Sequence, residues 1–338
     1  MKILIATDAW DPQTNGVVIT LKNLGKQLIN NKNEVYYITP KMFKTIPCPT
    51  YPEIRLSINI WPKINKIIKK IDPEVVHIAT EGPIGFFTKK YCNKHNIKFT
   101  TSYHTKFPEY IYERIKIKLV ENLAYKFLAN FHKDAERTLV TTKSIKNELI
   151  YKGFIKNKLK VWTRGVDRSI FKKINGRSFD YKPPIYIYVG RVSVEKNLTE
   201  FLDLNIDGTK IVIGNGPMLD YLKKKYFNVL FLGKKDQFTI AKYLLESDVF
   251  VFPSKTDTFG VVVIEALAMG LPVAAFPVPG PLDIIGGTKI DVLDWDLKKS
   301  IKKALKVDKK DCINLAQKYT WENCAKIFTK QMLSLIHI

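Results

Sequence analysis

Short apolar runs alternate with segments of helical spacing along the first half of the chain, and this alternation constrains the fold most strongly. Ile60 to Ile71 and Ile115 to Phe131 carry apolar residues three or four positions apart, which indicates helices. Strands that alternate with helices predict a parallel sheet covered by helices. The apolar runs interpreted as strands are Lys2 to Ala6, Glu34 to Thr39, Val75 to Ala79, Lys98 to Ser102 and Thr138 to Thr142.

The same alternation restarts after a loop-like stretch from Lys172 to Pro184. The chain has 338 residues, about twice a usual domain of roughly 150 residues. We therefore predict an α/β fold with two doubly wound domains that join near residue 178, residues 1–175 and 176–338. The predicted strands of the second domain are Ile185 to Val189, Lys210 to Ile213, Val229 to Leu232, Val249 to Phe252 and Pro272 to Phe276.

Composition excludes several classes of protein. With 46% hydrophobic and 26% charged residues, the chain is neither disordered nor fibrous. Its longest uncharged stretch, Ala266 to Leu282, is interrupted by glycines and prolines and predicts no membrane-spanning helix. The first apolar run reaches Asp8 too soon for a signal-peptide core, so we expect a cytosolic protein. The four cysteines are widely spaced and form no CxxC pair, so neither a zinc site nor a disulfide framework is expected; they are Cys48, Cys92, Cys312 and Cys324.

The charge is strongly positive, with 55 Lys and Arg against 32 Asp and Glu, a net charge of +23. A bias of composition toward Lys, Asn and Ile would explain the lysines but not the shortage of acids. A protein of this charge attracts phosphate-rich partners such as nucleotides, nucleic acid or anionic lipid.

Loops that directly follow the strands are where a ligand site is expected, because ligands of doubly wound sheets bind at the carboxyl ends of the strands. In the first such loop, Asp11 to Gly16, a glycine before a helix would let a phosphate or sugar approach the main-chain N–H groups, although an ordinary turn is an equal alternative. In a later loop, Arg191 and Lys196 lie five residues apart and would clamp a diphosphate. Two solvated surface cations are the alternative.

The strongest constellation is the acidic pair Asp257 and Glu265. Glu265 lies in the apolar segment Val261 to Met269, where a carboxylate is unfavourable unless it has partners. A ribose offers two hydroxyl donors to one carboxylate, and Asp257 would face a second set of hydroxyls. The N–H groups near Gly260 would face anionic oxygen. A solvated helix face or a structural salt bridge remains the alternative for Glu265.

Two weaker signals are discounted. Gly214-Asn215-Gly216 follows a strand like a dinucleotide fingerprint, but Leu219 takes the place of its third glycine, so an NAD site is not predicted. Asp294-Trp295-Asp296 has a spacing that can hold a divalent metal. Because it directly precedes a helical stretch, we expect a helix N-cap there and no metal site.

Together these residues resemble the retaining glycosyltransferases of the GT-B fold, in glycosyltransferase family four with its group 1 domain. Asp257 and Glu265 match that family's paired acidic motif E-x7-E, with Asp in place of the first Glu. The segment Ser102-Tyr103-His104-Thr105, with Phe107 to Ile111 after it, resembles a subgroup of diacylglycerol glucosyl, sulfoquinovosyl and mannosyl transferases. Further matches are the Arg191 and Lys196 pair, the glycine loop at Gly16 and the inter-domain segment Arg164-Gly165-Val166-Asp167.

The resemblance implies two Rossmann-like domains that face a deep inter-domain cleft, with a last helix of about residues 320–335 packing back on the N-terminal domain. It implies transfer of a hexose from a nucleotide sugar, a UDP-hexose more than a GDP-sugar, to a diacylglycerol-type lipid at the cytoplasmic face of the membrane. No cofactor or metal is implied. A GDP-mannose- or UDP-sugar-dependent transferase acting on a polyprenyl-linked or soluble saccharide is the alternative.

The resemblance also implies roles for individual residues. His104 would contact the hexose near its C6 hydroxyl and the reacting centre, unless it is an ordinary loop histidine. Asp257 would hold hexose hydroxyls, Glu265 the ribose, and Arg191 with Lys196 the leaving diphosphate. Further donor-binding residues would be Gly16, Gly190, Gly214, Asn215, Phe259, Gly260 and Val261, and acceptor residues would be Glu81, Tyr103 and Arg164.

A basic amphipathic segment, Ile54 to Ile71, contains five cations and no acid, with Trp61 at the start of its helix. Such a helix can dock on anionic lipid, and we expect its Ile face to pack on the sheet while Lys63, Lys66 and Lys70 remain for lipid. A protein that binds nucleic acid through its charge is a competing hypothesis of another class. No helix-turn-helix, zinc or aromatic RNA-binding signature supports it, so we expect no nucleic-acid partner.

Overall fold

The computed structural model describes residues 1–13, 15–48, 51–172 and 179–336. It divides into a first unit of Met1–Pro108, Ile117–Arg164 and Trp321–Ile338, and a second unit of Glu109–Lys116 and Gly165–Thr320. The predicted domain junction near residues 175–178 lies outside the described residues, as does Thr14 of the first glycine loop.

The first unit contains eight strands in its described part. In chain order they are β1 (Lys2–Ala6), β2 (Glu34–Ile38), β3 (Lys44–Cys48), β4 (Tyr51–Ile58), β5 (Val75–Ile78), β6 (Phe99–Tyr103), β7 (Arg137–Val140) and β8 (Leu159–Val161). Six of them form a parallel sheet in the order β2-β1-β5-β6-β7-β8, and β3 pairs with β4 as an antiparallel hairpin.

Helices cover both faces of this sheet. They are α1 (Gly16–Asn30), α2 (Trp61–Ile71), α3 (Pro83–Lys94), α4 (Phe107–Ile115), which lies across the division between the units, α5 (Lys118–His132) and α6 (Lys143–Tyr151). Ile3 and Ile5 of β1 pack with leucines of α1, whereas Leu4 packs with Ile64 and Ile68 of α2. As the sequence predicts, the Ile face of α2 is buried and its lysines are exposed.

The second unit contains a five-stranded parallel sheet in the order β11-β10-β9-β12-β13. Its strands are β9 (Ile185–Val189), β10 (Thr209–Ile213), β11 (Val229–Gly233), β12 (Val249–Phe252) and β13 (Val273–Ala275). Its helices are α7 (Leu198–Leu202), α8 (Leu219–Lys225), α9 (Gln237–Glu246), α10 (Val261–Ala268), α11 (Pro281–Ile285), α12 (Leu297–Ala304) and α13 (Lys309–Ala316).

The last helix, α14 (Trp321–Ile336), belongs to the first unit. Phe328 and Met332 pack in the same apolar cluster as β1 and α1. The indole Nε1 of Trp162, just after β8, donates a hydrogen bond of 3.0 Å to the main-chain oxygen of Cys324. This contact joins the end of the sheet to the C-terminal helix.

Local structure differs from the sequence prediction at three places. The strand β8 and the hairpin of β3 and β4 were not predicted. The helical pattern from Ile115 to Phe131 is divided into α4 and α5, because Lys116 adopts a left-handed conformation with φ of 57° that no α-helix continues through.

Candidate functional site

The loops after β9 and β12 define the candidate site of the second unit. The chain runs from β9 to β10 and β11 on one side and then crosses to β12 on the other side, so the connections diverge between β9 and β12. Ligands of doubly wound sheets bind where the strand order reverses in this way. Arg191 and Lys196 follow β9, while Asp257 and Glu265 follow β12. The fold therefore brings the predicted cations and acids to one edge of the sheet.

Lys196 and Asp257 bind each other in this structure. The Lys196 ammonium lies 2.7 and 2.8 Å from the two carboxylate oxygens of Asp257, and each side chain is 15% exposed. Burial by itself would lower the pKa of Lys196, but the Asp257 carboxylate and the nearby Tyr110 and Tyr188 raise it above its usual range. The ammonium therefore stays charged at every physiological pH.

Glu195 is a site residue that sequence reasoning missed. Its buried carboxylate accepts a hydrogen bond of 2.7 Å from Ser193 and lies 3.9 Å from the Arg191 guanidinium. Its main-chain oxygen accepts hydrogen bonds from the hydroxyls of Ser254 and Thr256, which belong to the loop after β12. Glu195 thus orients Arg191 and fastens the two site loops together. The signal in the sequence is an acid between two cations directly after a strand.

Glu265 is a buried carboxyl group on α10. It is 6% exposed, and in the described part of the chain its oxygens accept no hydrogen bond and pair with no cation. Burial raises the pKa of Glu265 to about 8. Among the described residues, Glu265 therefore lies neither on a solvated helix face nor in a salt bridge. The helix holds a carboxyl group that no described residue of the second unit compensates.

The start of α10 presents main-chain N–H groups without a side-chain cap. Gly260, the N-cap residue, has a φ of 82°, and a Cβ there would lie 3.1 Å from both Phe252 and Val263. The preceding Phe259 is buried, with its ring 5.9 Å from that of Tyr319. Uncapped N–H groups at a helix N-terminus favour anionic oxygen.

Glycines let the strand ends of this edge approach each other. A Cβ on Gly214 would lie 1.7 Å from the main-chain oxygen of Gly190, so no other residue fits. The Val192 N–H donates a hydrogen bond of 2.9 Å to the main-chain oxygen of Asn215. Gly190, Gly214 and Asn215 therefore hold the Arg191 loop against the loop after β10.

His104 of the first unit is positioned by Arg164. The guanidinium Nη2 of Arg164 donates a hydrogen bond of 2.9 Å to His104 Nδ1, and both side chains are buried. Because a guanidinium has no acceptor, Nδ1 must accept, and the neutral ring carries its proton on Nε2. Burial and the charge of Arg164 hold the pKa of His104 well below its usual range. His104 is therefore suited to donate a hydrogen bond and not to act as a general base.

Main-chain oxygens and an aromatic ring hold Arg164 itself. It donates hydrogen bonds of 2.7 and 3.1 Å to the main-chain oxygens of Trp162 and Thr163, and its guanidinium lies 4.4 Å from the Trp162 ring centre. It has no carboxylate partner among the described residues, and burial lowers its pKa to about 10. Arg164 is 2% exposed, and its predicted contact with the acceptor stays a prediction.

Glu81 and Tyr103 surround a buried histidine that the sequence did not reveal. Glu81 Oε1 lies 3.2 Å from His132 Nε2, and the Thr101 hydroxyl lies 2.8 Å from His132 Nδ1. The Tyr103 ring is fully buried and packs against His132 and Phe154. These residues fix the end of β6, from which the His104 segment leaves the sheet.

Asp8 anchors the loop between β5 and α3. Its carboxylate accepts hydrogen bonds from the N–H groups of Ile84 and Gly85, at 2.8 and 3.2 Å, and from the Thr80 hydroxyl at 2.9 Å. Burial raises the pKa of Asp8 to about 6 despite these hydrogen bonds. A Cβ on Gly82 would lie 2.5 Å from this carboxyl group, which explains the glycine. Asp8 thus caps α3 from a different part of the chain.

The glycine loop before α1 has an ordinary N-cap. The Asn15 side chain accepts hydrogen bonds of 3.0 Å from the N–H groups of Val17 and Val18. Gly16 is the first residue of the helix and is exposed. Asn15 therefore already uses two of the N–H groups at this end of α1.

The Asp-Trp-Asp segment has a structural role in this fold. Asp296 is the N-cap of α12 and accepts a hydrogen bond of 3.1 Å from the Lys299 N–H, which confirms the predicted capping. Asp294 lies 2.9 Å from the Lys303 ammonium. Within the described ranges, no group of three or more His, Cys, Asp or Glu side chains is arranged to hold a metal ion.

The basic face of α2 contains the residues predicted for lipid contact. Trp61 begins this helix, with its ring 6.0 Å from Phe87 and beneath the Lys90 ammonium at 4.7 Å. The exposed cations of this face are Lys63, Lys66, Lys69 and Lys70. A bilayer-spanning helix is not found in the described part of the structure.

Comparison with known proteins identifies two domain families. Residues 14–170 match the family described as Glycosyltransferase Family 4, and residues 169–318 match the family described as Glycosyl transferases group 1. The whole chain is similar in structure to sucrose-phosphate synthase from Thermosynechococcus elongatus, with a TM-score of 0.76, 18% identity and coverage of 99% of this chain and 98% of that one. The predicted GT-B fold class, with two Rossmann-like α/β domains, is confirmed.

Three relatives have informative names. Sulfoquinovosyl transferase SQD2 from Arabidopsis thaliana is 30% identical over 72% of this chain, although the match spans only half of the length of that relative. A GDP-mannose-dependent alpha-mannosyltransferase from Mycobacterium tuberculosis is 24% identical over 84% of this chain and 81% of its own length. Alpha-monoglucosyldiacylglycerol synthase from Acholeplasma laidlawii is 27% identical over 81% of this chain and 79% of its own length.

Proposed function

Because the chain belongs to the glycosyltransferases that combine a Family 4 domain with a group 1 domain, we propose that it transfers a hexose, with retention, from a UDP-hexose to a diacylglycerol-type lipid at the cytoplasmic face of the membrane. The observation that carries the donor assignment is the buried carboxyl group of Glu265, which no described residue compensates, on the helix that follows β12. The names of the sulfoquinovosyl and monoglucosyldiacylglycerol relatives support the lipid acceptor.

Glu265 receives the ribose in this proposal. Two hydroxyl groups of a ribose can each donate to one carboxylate, and hydrogen bonds to a charged acceptor are the stronger kind. The uncapped start of α10, at Gly260 and Val261 after Phe259, and the Arg191 guanidinium face the diphosphate. The site thus offers donors to the anionic part of the nucleotide sugar and an acceptor to its ribose.

Lys196 and Asp257 act together on the sugar phosphate. An ammonium has three N–H donors, and the contacts with Asp257 use two of them, which leaves one for the diphosphate. A carboxylate has about four acceptor positions, so Asp257 retains acceptors for hexose hydroxyls. The ion pair thereby fixes the distance between the group that holds the sugar and the group that holds the leaving phosphate.

His104 donates from Nε2 to a hexose hydroxyl and removes no proton from the acceptor, because its pKa is too low for a base at neutral pH. We assign that proton to the leaving diphosphate. The acceptor oxygen forms the new bond to the anomeric carbon on the face from which the diphosphate departs, the old carbon–oxygen bond breaks, and a phosphate oxygen takes the acceptor proton. Arg191 and Lys196 stabilise the charge that grows on the diphosphate. The proposal includes no metal or cofactor.

A transfer assay tests this function. Release of nucleoside diphosphate is measured with UDP-glucose, UDP-sulfoquinovose or GDP-mannose, with and without diacylglycerol in detergent, and the anomeric configuration of the product is read by NMR. We expect release from a UDP-hexose that depends on diacylglycerol and gives an α-linked product from an α-linked donor. An inverted product contradicts the mechanism, and absence of release from every donor contradicts the function.

A second candidate is a GDP-mannose-dependent transferase whose acceptor is a polyprenyl-linked or soluble saccharide. The mannosyltransferase relative, which matches over most of both chains, favours it. Release of GDP from GDP-mannose that diacylglycerol does not stimulate would favour this candidate over the first.

A further inference from the structure

Tyr188 is a buried side chain of the second unit to which the proposed function gives no part. It lies on the central strand β9, three residues before Arg191, and it is 1% exposed. Its ring packs in an apolar cluster with Leu198 and Phe201 of α7 and Val212 of β10. Parallel strands buried on both faces are normally apolar along their length, and a phenol in such a strand costs free energy unless its hydroxyl is hydrogen-bonded.

The Tyr188 hydroxyl donates a hydrogen bond of 2.8 Å to the main-chain oxygen of Arg191. Burial raises the pKa of the Tyr188 phenol above its usual range, so the hydroxyl keeps its proton and remains a donor. The bond supplies a partner for a main-chain oxygen that belongs to no helix or strand. The phenol is therefore bound to the residue whose guanidinium faces the diphosphate in the proposed function.

Gly190 leaves the room that this hydrogen bond requires. A Cβ at position 190 would lie 2.6 Å from the Tyr188 hydroxyl oxygen. A side chain there would push the hydroxyl away from the main-chain oxygen of Arg191. The tyrosine on the strand, the glycine and the arginine thus form one local arrangement.

The loop of residues 190–196, which we call the site loop, is held on either side of Arg191 by neighbouring loops. The Val192 N–H is bound to the loop after β10, and the Lys196 ammonium is bound to the loop after β12. Between these two points, the Tyr188 hydroxyl holds the main chain of Arg191 from the strand beneath it.

We propose that Tyr188 is a positioning residue for Arg191, because its hydroxyl fixes the main chain from which the guanidinium reaches the leaving diphosphate. A guanidinium that is already aimed stabilises the growing charge without reorganisation. Loss of the hydrogen bond should therefore slow transfer more than it weakens donor binding. The inference rests on the proposed function, in which Arg191 stabilises the charge of the departing diphosphate.

Tyr188→Phe removes the hydroxyl and keeps the ring in its cluster, and Tyr186→Phe is the matched control. Tyr186 lies on the same face of β9, belongs to the same apolar cluster and is 4% exposed. It is two residues farther from the site loop. Each variant loses one phenol oxygen from one strand, so a difference between them reports the hydrogen bond to Arg191.

Transfer is measured over a range of donor concentrations, well below the melting temperature of each variant. Tyr188→Phe should lower kcat about tenfold and change the donor KM by less than about twofold, whereas Tyr186→Phe should match the wild type in both. A hydroxyl with a merely structural role would change the melting temperature alone. A wild-type kcat in Tyr188→Phe, a change confined to KM, or equal losses in the two variants overturns the inference.

A double-mutant cycle shows whether Tyr188 acts through Arg191. In an Arg191→Ala background, Tyr188→Phe should change kcat by less than about twofold, because the guanidinium that it positions is absent. In a Lys196→Ala background, the loss caused by Tyr188→Phe should persist. A loss that persists with Arg191→Ala overturns the inference, and so does a loss that disappears in both backgrounds.

Hydrogen exchange tests the same contact without an assay of function. Amide hydrogens of residues 190–196 should exchange faster in Tyr188→Phe than in the wild type or Tyr186→Phe. Equal exchange in all three proteins overturns the inference, whether or not the protein transfers a hexose. A wild-type protein that releases no nucleoside diphosphate from any donor overturns the proposed function, and the exchange rates then decide separately whether Tyr188 holds the site loop.

Discussion

Glu265 is expected to couple donor binding to the release of a proton. Burial raises the pKa of its carboxyl group from 4.5 to about 8, and no described residue compensates its charge. At pH 7 the group is therefore about nine-tenths protonated in the donor-free protein. Ribose hydroxyls donate to the charged carboxylate, so the bound donor favours the ionised form and the proton leaves.

The size of the effect follows from the pKa. Each pH unit below about 8 adds about 1.4 kcal/mol to the free energy needed to ionise the group, which is about tenfold in affinity. Donor affinity should therefore rise about tenfold per unit from about pH 5 to pH 8 and then level off. At pH 7 about 0.9 proton should be released per donor bound. A nucleotide sugar has no phosphate monoester, so it lacks the second phosphate ionisation near pH 6.

Isothermal titration calorimetry checks this coupling. Donor binding at pH 7 is measured in two buffers with different ionisation enthalpies, and the difference in heat gives the number of protons released. The control is Glu265→Gln, which should release no proton from this site and should show an affinity that hardly changes between pH 6 and pH 9. A wild-type affinity that is independent of pH, with no difference between the buffers, would refute the ribose role of Glu265.

Four other outcomes are expected. The folded protein binds more protons at Glu265 than the unfolded chain does, so the stability of the protein falls as pH rises from 4.5 to about 8. Glu265→Gln should therefore unfold at a higher temperature than the wild type at pH 9 but not at pH 4. Arg191→Ala and Lys196→Ala should lower kcat more than they raise KM, whereas a change confined to KM would make them ground-state binders. Arg164→Leu should raise the pKa of His104 and reduce the Nε2-protonated form seen by ¹⁵N NMR, and an unchanged spectrum would contradict the positioning role. EDTA should leave transfer intact, and loss that manganese restores would contradict the metal-free mechanism.

Much of the fold follows from local pattern. Each strand predicted from an apolar run is a strand of one of the two sheets, with ends that agree within about one or two residues. The segments that follow β9 and β12 carry the predicted cations and acids, with Glu265 on α10. Local pattern is sufficient here because parallel strands buried on both faces are apolar along their whole length.

Contacts between distant residues could not be predicted in the same way. Lys196 and Asp257 are 61 residues apart, and the Asp8 carboxylate accepts hydrogen bonds from main-chain N–H groups 76 and 77 residues away. Periodicity also gives the spacing of an apolar row but not the side on which the core lies. The row from Leu119 to Phe127 has the spacing of a buried face, yet the buried face of α5 is the one that carries Tyr125 and Leu128.

Three buried charged groups differ in what compensates them, and the difference separates structure from function. Asp8 accepts hydrogen bonds from the start of α3, and Arg164 donates to main-chain oxygens and to His104, so each joins parts of the first unit. Glu265 joins nothing that the structure describes, and its burial destabilises the fold as the group ionises. A purely structural position would favour an apolar residue there. Glu265→Leu should therefore raise the melting temperature at pH 9 and abolish donor binding, because only a ligand with hydroxyl donors offsets the burial of this carboxylate.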